Sequence, residues 1–183
     1  GFINKKNYES DMCGISAFFS NDNNLIQDAI SKKEISIDTI QKRGPNDTVI
    51  VNDKDFLSIH THLRITGDCQ QPVYDDDFLL LFNGEIYNDY EKYDSKYSDT
   101  HYLREQIKNF GDNAFEKLDG EFAICLREFK TNTLILVTDP FGTKPLYYQL
   151  GKNFVAVGSY ESTISAYGKI FPIIQVPSNT CIK

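Results

Sequence analysis

The period of apolar and polar positions changes several times along the chain. Residues 1–12 are polar and aperiodic, whereas Gly14–Ser20 is a short, nearly continuous apolar run that predicts a strand entering the turn-forming Asn21–Asn24. From Leu25 to Lys42, Ile26, Ile30, Ile37 and Ile40 recur at near-helical spacing, which predicts one long helix stopped by Gly44-Pro45. Strands are expected at Thr48–Val51, Phe56–His62 and Phe78–Phe82, with Asn52-Asp53-Lys54-Asp55 joining the first two as a hairpin. Ser98 is placed to cap a second helix through Phe110, with Leu103, Ile107 and Phe110 on one face, and a shorter helical stretch follows to about Gly120. Further strands at Glu121–Arg127, Thr133–Thr138, Leu146–Leu150 and Phe154–Gly158 are separated by polar or Gly-containing turns. Blocks of strands interrupted by two helical regions predict an α+β layered domain, and disfavour a doubly wound parallel sheet. No internal repeat or linker is visible.

Composition narrows the function classes. The chain has 183 residues, 40% hydrophobic and 25% charged, which fits one globular domain with a core of its own. A net charge of −7 removes the electrostatic basis for nucleic acid or an anionic membrane as partner. No apolar run approaches the roughly 20 residues needed to span a bilayer, and the N-terminal segment lacks a signal-peptide core. Cys13, Cys69, Cys125 and Cys181 are widely spaced, without the paired spacing of a zinc or redox motif, so a reducing, cytoplasmic setting without metal or cofactor is expected. Cys125, in an alternating segment, reads as a small buried apolar residue.

Five strings in order carry the chemistry: Met12-Cys13-Gly14-Ile15, Arg43-Gly44-Pro45-Asn46, Asn83-Gly84-Glu85-Ile86-Tyr87-Asn88, Ser98-Asp99-Thr100, and Asp139 to Tyr148 (DPFGTKPLYY). Together they resemble the glutaminase domain of class II glutamine amidotransferases, and most closely that of asparagine synthetase. The resemblance covers residues 12 to 183 and implies a four-layer αββα sandwich of two antiparallel sheets, the N-terminal-nucleophile hydrolase fold. It implies that Cys13 begins the mature domain, its thiol attacking the glutamine side-chain amide while its α-amine takes the proton. An α-amine with a pKa near 7.7–8.0 is a competent base at neutral pH, and thiolate is the competent nucleophile. Read alone, Cys13 is more simply a small residue entering a buried strand, and the other four strings reverse that balance.

The same resemblance assigns Asn83 and the Gly84 N–H to the oxyanion, and Glu85 and Asp99 to the α-ammonium of glutamine. A side-chain amide beside a backbone N–H suits a tetrahedral oxyanion, and paired carboxylates suit an ammonium. The local alternatives are an Asn-Gly turn after Phe82, a solvated turn charge at Glu85, and a first-turn helix acid at Asp99. Asp139-Pro140-Phe141-Gly142 reads as a structural turn, and Tyr147 and Tyr148 face opposite sides of a strand, so at least one belongs to the core.

Some positions depart from the family pattern. His60-Thr61-His62-Leu63-Arg64 stands where His-x-Arg-Leu is usual, so His62 occupies the place of the arginine that grips the substrate carboxylate, and Arg64 is the compensating candidate two residues on. Residues 1–12 read as an N-terminal extension before a domain at 13–183: a tag remnant, a propeptide or a permanent extension. With Met12 attached, Cys13 has an amide in place of its α-amine. The expected activity is a glutaminase that passes ammonia to a separate ATP-dependent synthetase; the alternatives are a non-catalytic module of the same fold for ligand sensing or assembly, or an amidohydrolase acting on another amide.

Overall fold

Successive residues of β5 (Phe78–Ile86) belong to different cores, which shows how the layers are built. Phe78, Leu80, Phe82 and Ile86 pack with Leu103 and Ile107 of α3 (Asp99–Phe110) and with Phe115 of the 3-10 stretch Gly111–Lys117. Leu79 and Leu81 face the other way and pack against Ile15, Ala17 and Phe19 of β1 (Gly14–Ser20). On the far side of β1, Phe18 joins Ile26 and Ala29 of α1 (Asn23–Ser31), Ile37 and Ile40 of α2 (Lys33–Ile40), and Ile164 of α4 (Glu161–Ser165). Three apolar interfaces therefore separate four layers, helix on sheet on sheet on helix, as the two-residue side-chain period of strands requires.

The computed structural model describes residues 13–41, 47–62, 70–94, 96–168 and 170–183. Besides β1 and β5, the strands are β2 (Asp47–Asp53), β3 (Phe56–His62), β4 (Val73–Tyr74), β6 (Gly120–Glu128), β7 (Thr133–Thr138), β8 (Tyr147–Leu150), β9 (Phe154–Gly158), β10 (Ile173–Gln175) and β11 (Thr180–Ile182). One sheet runs β10-β8-β9-β1-β3-β2 and the other β11-β7-β6-β5-β4, with every pairing antiparallel. The α+β sandwich expected from the sequence is thus the observed architecture. Among the described residues no helix is long and apolar enough to cross a membrane.

One expectation needs correction, and one local alternative is removed. The single helix from Leu25 is broken at Lys32, whose φ of −99° and ψ of 2° end α1 before α2 begins. The break lets both short helices lay their isoleucines on the sheet while Ser36 reaches the buried Ser16 hydroxyl at 2.7 Å. Asn83-Gly84 is not a turn: β5 continues through it to Ile86, paired with β6 from Phe78↔Glu128 to Ile86↔Gly120. The cross-strand ladder overrides the local Asn-Gly preference.

Gly84 is required by that ladder. Its φ is +143°, and a Cβ there would lie 1.9 Å from the Glu121 carbonyl oxygen. Relief needs backbone movement in β5 or β6, so Gly84→Ala is expected to cost at least about 3 kcal/mol of stability. Chemical denaturation measures it, and a loss below about 1 kcal/mol would mean that the two strands separate easily here.

Candidate active site

Cys13 stands half-buried directly before β1, and the two residues after it are held by hydroxyls from neighbouring elements. Gly14 N–H donates to Thr61 Oγ1 at 3.0 Å, and Ile15 N–H donates to Ser159 Oγ at 2.9 Å. Gly14 must be glycine because a Cβ would lie 2.6 Å from Thr61 Oγ1 and 2.7 Å from Ile40 Cβ. Thr61 and Ser159, both fully buried, were not singled out by sequence reasoning; isolated hydroxyl residues carry no periodic signal.

Asn83 continues the face of β5 on which Leu79 and Leu81 meet β1, so it is directed to the interior between the sheets. It is 1% exposed, and among the described residues neither Oδ1 nor Nδ2 has a hydrogen-bond partner. An unsatisfied buried amide costs about 1–3 kcal/mol per group, so this arrangement calls for a ligand, water or catalytic explanation. β1 is linked to this part of β5 through β3: Ile15 is opposite His60 in the β1/β3 register, and His60 Nε2 donates to the Phe82 carbonyl at 3.0 Å. That single imidazole bridges from the neighbourhood of Cys13 to the peptide that carries Asn83.

The same alternation sends the N–H groups of Phe82, Gly84 and Ile86 to the edge of β5 away from β6. Phe82 N–H donates to Gln71 Oε1 at 3.2 Å and Ile86 N–H donates to Asp99 Oδ2 at 3.3 Å. Gly84 N–H lies between these two anchors on the same edge.

Asp99 occupies the first turn of α3, behind a capping box in which Ser98 and His101 satisfy each other's groups. Burial pushes its carboxyl up to about 6, with the Glu85 charge adding to the rise and hydrogen bonds from the Ile86 and Thr100 amides and the Thr100 hydroxyl opposing it. Glu85 itself is exposed and lies opposite Glu121 in the ladder. Like charges placed this way repel, and Lys144 Nζ, 3.8 Å from Glu121 Oε2, offsets part of that repulsion. Burial, followed by Glu121, Glu85, Asp119 and Asp139, raises the Tyr87 hydroxyl above its ordinary pKa. Among the described residues, this end of β5 thus carries Glu85, Glu121, Asp99 and Asp119 against Lys144.

Because its folded pKa lies above the unfolded value of 3.8, the stability linked to Asp99 is fully present below pH 3.8 and is lost as pH rises through 6. Asp99→Asn should therefore raise the stability of the ligand-free protein at pH 7.5, on the order of 2 kcal/mol, with little difference near pH 4. Thermal melts at the two pH values check it. A destabilised variant at pH 7.5 would mean that the ionised carboxylate is better satisfied than its burial indicates.

The structure brings Gly84, Glu85 and Asp99 together at one end of β5 and turns Asn83 of the same strand towards β1, the strand that Cys13 precedes. Arg64 lies outside the described residues, as do residues 1–12, and of His62 only the backbone at the end of β3, opposite Asp47, is described. Asp139 is the structural anchor expected of its turn: fully buried, it accepts from Phe122 N (3.0 Å), Phe141 N (2.8 Å), Thr143 N (3.0 Å) and Thr143 Oγ1 (3.2 Å). Tyr147 and Tyr148 pack into the cores on opposite faces of their sheet. Cys125 is fully buried, and burial raises its thiol pKa far above the usual range. Among the described residues no cluster of three or more His, Cys, Asp or Glu side chains is arranged for a metal ion.

A family model described as a glutamine amidotransferase domain matches residues 12–176, nine-tenths of the chain. The chain belongs to the glutamine amidotransferase domain family. Within it, the domain is 31% identical over 153 residues to a probable glutamine-hydrolysing asparagine synthetase of Dictyostelium discoideum, covering 74% of this chain and 27% of that protein. It is 27% identical over 174 residues to asparagine synthetase 3 of Bacillus subtilis, covering 87% and 28%. An amidase of Gibberella zeae is 29% identical over 185 residues, covering 86% and 27%. The domain thus spans about a quarter of the length of these curated relatives. Among solved structures, the glutamine phosphoribosylpyrophosphate amidotransferase of B. subtilis superposes with a TM-score of 0.59 at 16% identity, covering 91% of this chain and 46% of that one. That similarity establishes the shared fold.

Proposed function

We propose that this domain hydrolyses the side-chain amide of glutamine to glutamate and ammonia, with Cys13 as nucleophile, and that the ammonia passes to an ATP-dependent synthetase domain or subunit. The observation that carries the reading is the buried Asn83 amide, which lies beside the Gly84 N–H, has no hydrogen-bond partner among the described residues and faces β1, the strand that Cys13 precedes. In the first step Cys13 Sγ bonds to the amide carbon and its proton passes to the Cys13 α-amine. Asn83 Nδ2 and Gly84 N–H stabilise the oxyanion. The C–N bond then breaks and ammonia leaves with the proton returned by the α-amine. Water, deprotonated by the same amine, hydrolyses the γ-glutamyl thioester and regenerates the thiol. Glu85 and Asp99 hold the substrate ammonium, and Arg64 takes its carboxylate in place of the arginine that His62 replaces.

The experiment is glutaminase kinetics on protein trimmed to begin at Cys13. Asn83→Ala should lower kcat by ~10²–10³-fold with little change in KM, the pattern of a lost oxyanion donor. Arg64→Ala should raise KM and leave kcat much less affected. An Asn83→Ala protein that retains wild-type kcat would remove Asn83 from the mechanism.

A second reading, hydrolysis of an amide other than glutamine's, is favoured by His62 in the place of the carboxylate-binding arginine and by the similarity to an amidase. A panel of carboxamides distinguishes the two by kcat/KM.

A further inference from the structure

Among the described residues, the outer edge of β5 beyond Leu80 has no partner strand, because β4 pairs there only through Val73↔Leu80 and Tyr74↔Leu79. Its peptide groups are taken up by buried side chains instead. His60 Nε2 donates to the Phe82 carbonyl at 3.0 Å and Gln71 Oε1 accepts from Phe82 N–H at 3.2 Å. The other end of the Gln71 amide, Nε2, donates to Thr100 Oγ1 at 3.1 Å, and the Thr100 hydroxyl is 3.5 Å from Asp99 Oδ1. His60 is 0% exposed, Gln71 7% and Thr100 3%.

We propose that His60 and Gln71 are positioning residues for amide hydrolysis, acting as a clamp on the Phe82 peptide groups that fixes Asn83 and the Gly84 N–H; this rests on the function proposed above. The Phe82 carbonyl belongs to the same peptide plane as the Asn83 nitrogen, so the imidazole sets the direction in which the Asn83 side chain leaves β5. His60 is also the register partner of Ile15, two residues from Cys13. One side chain thus couples the strand that follows the nucleophile to the strand that bears the oxyanion donors, across the interface between sheets. Gly84 N–H lies two residues from each anchor, with Phe82 held by His60 and Gln71 and Ile86 held by Asp99. Gln71 extends the clamp to the start of α3, linking the oxyanion edge to the carboxylate assigned to the substrate ammonium. Simple filling of the core does not account for these residues, since leucine or methionine would fill similar volumes without the cost of burying polar groups. Each polar atom named is spent on the β5 edge or on Thr100.

The test uses trimmed protein carrying His60→Leu, His60→Gln or Gln71→Met, with kcat and KM for glutamine and thermal melts measured for each. A displacement of about 1 Å at a reacting centre can cost ~10²-fold, so His60→Leu should lower kcat by ~10–100-fold with KM within about threefold of wild type. His60→Gln, whose Nε2 can still donate to Phe82, should recover most of that loss. Gln71→Met should lower kcat and also raise KM, because it releases Asp99 as well. Wild-type kcat in His60→Leu, or equal loss in His60→Leu and His60→Gln, overturns the clamp while leaving the glutaminase reading intact. If His60→Leu does not fold, a His60→Gln protein with less than about a tenth of wild-type kcat overturns it. Side-chain amide resonances of 15N-asparagine-labelled protein give a readout independent of turnover. A shift of the Asn83 signal in His60→Leu but not in His60→Gln supports the clamp, and an Asn83 signal unmoved in both overturns it. Wild-type protein inactive on glutamine would instead strike at the proposed function.

Discussion

Protein trimmed to begin at Cys13 is expected to release glutamate from glutamine, and Cys13→Ala is expected to reduce that release to background while leaving the fold intact. The loss should be complete because in the proposed mechanism the thiol forms the covalent bond of the first step, and no other group is assigned that role. The substitution removes one sulfur from a half-buried position that precedes β1 and contributes to none of the three cores, so its effect on stability should stay within about 1 kcal/mol. Circular dichroism and a thermal melt separate the two effects. Residual turnover in Cys13→Ala at more than a few per cent of wild type would assign the chemistry to another nucleophile. Cys125 is a poor replacement, being fully buried with a thiol that burial keeps protonated.

The second large effect concerns residues 1–12. Protein retaining them is expected to hydrolyse glutamine ~10²–10⁴-fold more slowly than the trimmed form, the usual worth of general-base assistance. With Met12 attached, the nitrogen of Cys13 is an amide whose lone pair is delocalised, and it cannot take the thiol proton. Removing the extension should therefore restore activity without any other change in the chain. Turnover of the two forms, compared at matched concentration, decides the point; equal rates would require a base other than the α-amine.

How much of this was legible beforehand varied with the physics of each element. The second helix and the strand at Phe56–His62 were readable to the residue because each keeps one period from end to end, with a capping serine at Ser98 and a polar turn before Phe56 marking where they start. The break at Lys32 was not: α1 and α2 lie on the same sheet face, so their isoleucines keep a helical spacing across a residue that is not helical. Asn83-Gly84 read locally as a turn, and only the pairing with β6, which no local pattern announces, carries it through as strand. The short strands β4, β10 and β11 and the five-residue α4 are too brief to show a period.

For the proposed site, Cys13, Asn83, Gly84, Glu85 and Asp99 were singled out by the ordered strings in which they sit, and the fold places the last four along one end of β5 and the start of α3. Thr61, Ser159 and Gln71 were not found in the sequence. Each acts through one or two hydrogen bonds to backbone or side chain far away in the chain, as in the 144-residue separation of Ile15 and Ser159, and such partners are fixed only by the tertiary structure.

The central claim, that Cys13 carries a covalent acyl intermediate, is tested most directly by acid-quenching trimmed protein during turnover with glutamine and measuring the mass of the Cys13 peptide. The account predicts a labile adduct with the mass of one γ-glutamyl group on Cys13, absent from the Cys13→Ala protein and from protein that retains residues 1–12. Glutamate release that proceeds at full rate with the adduct on another residue would contradict it.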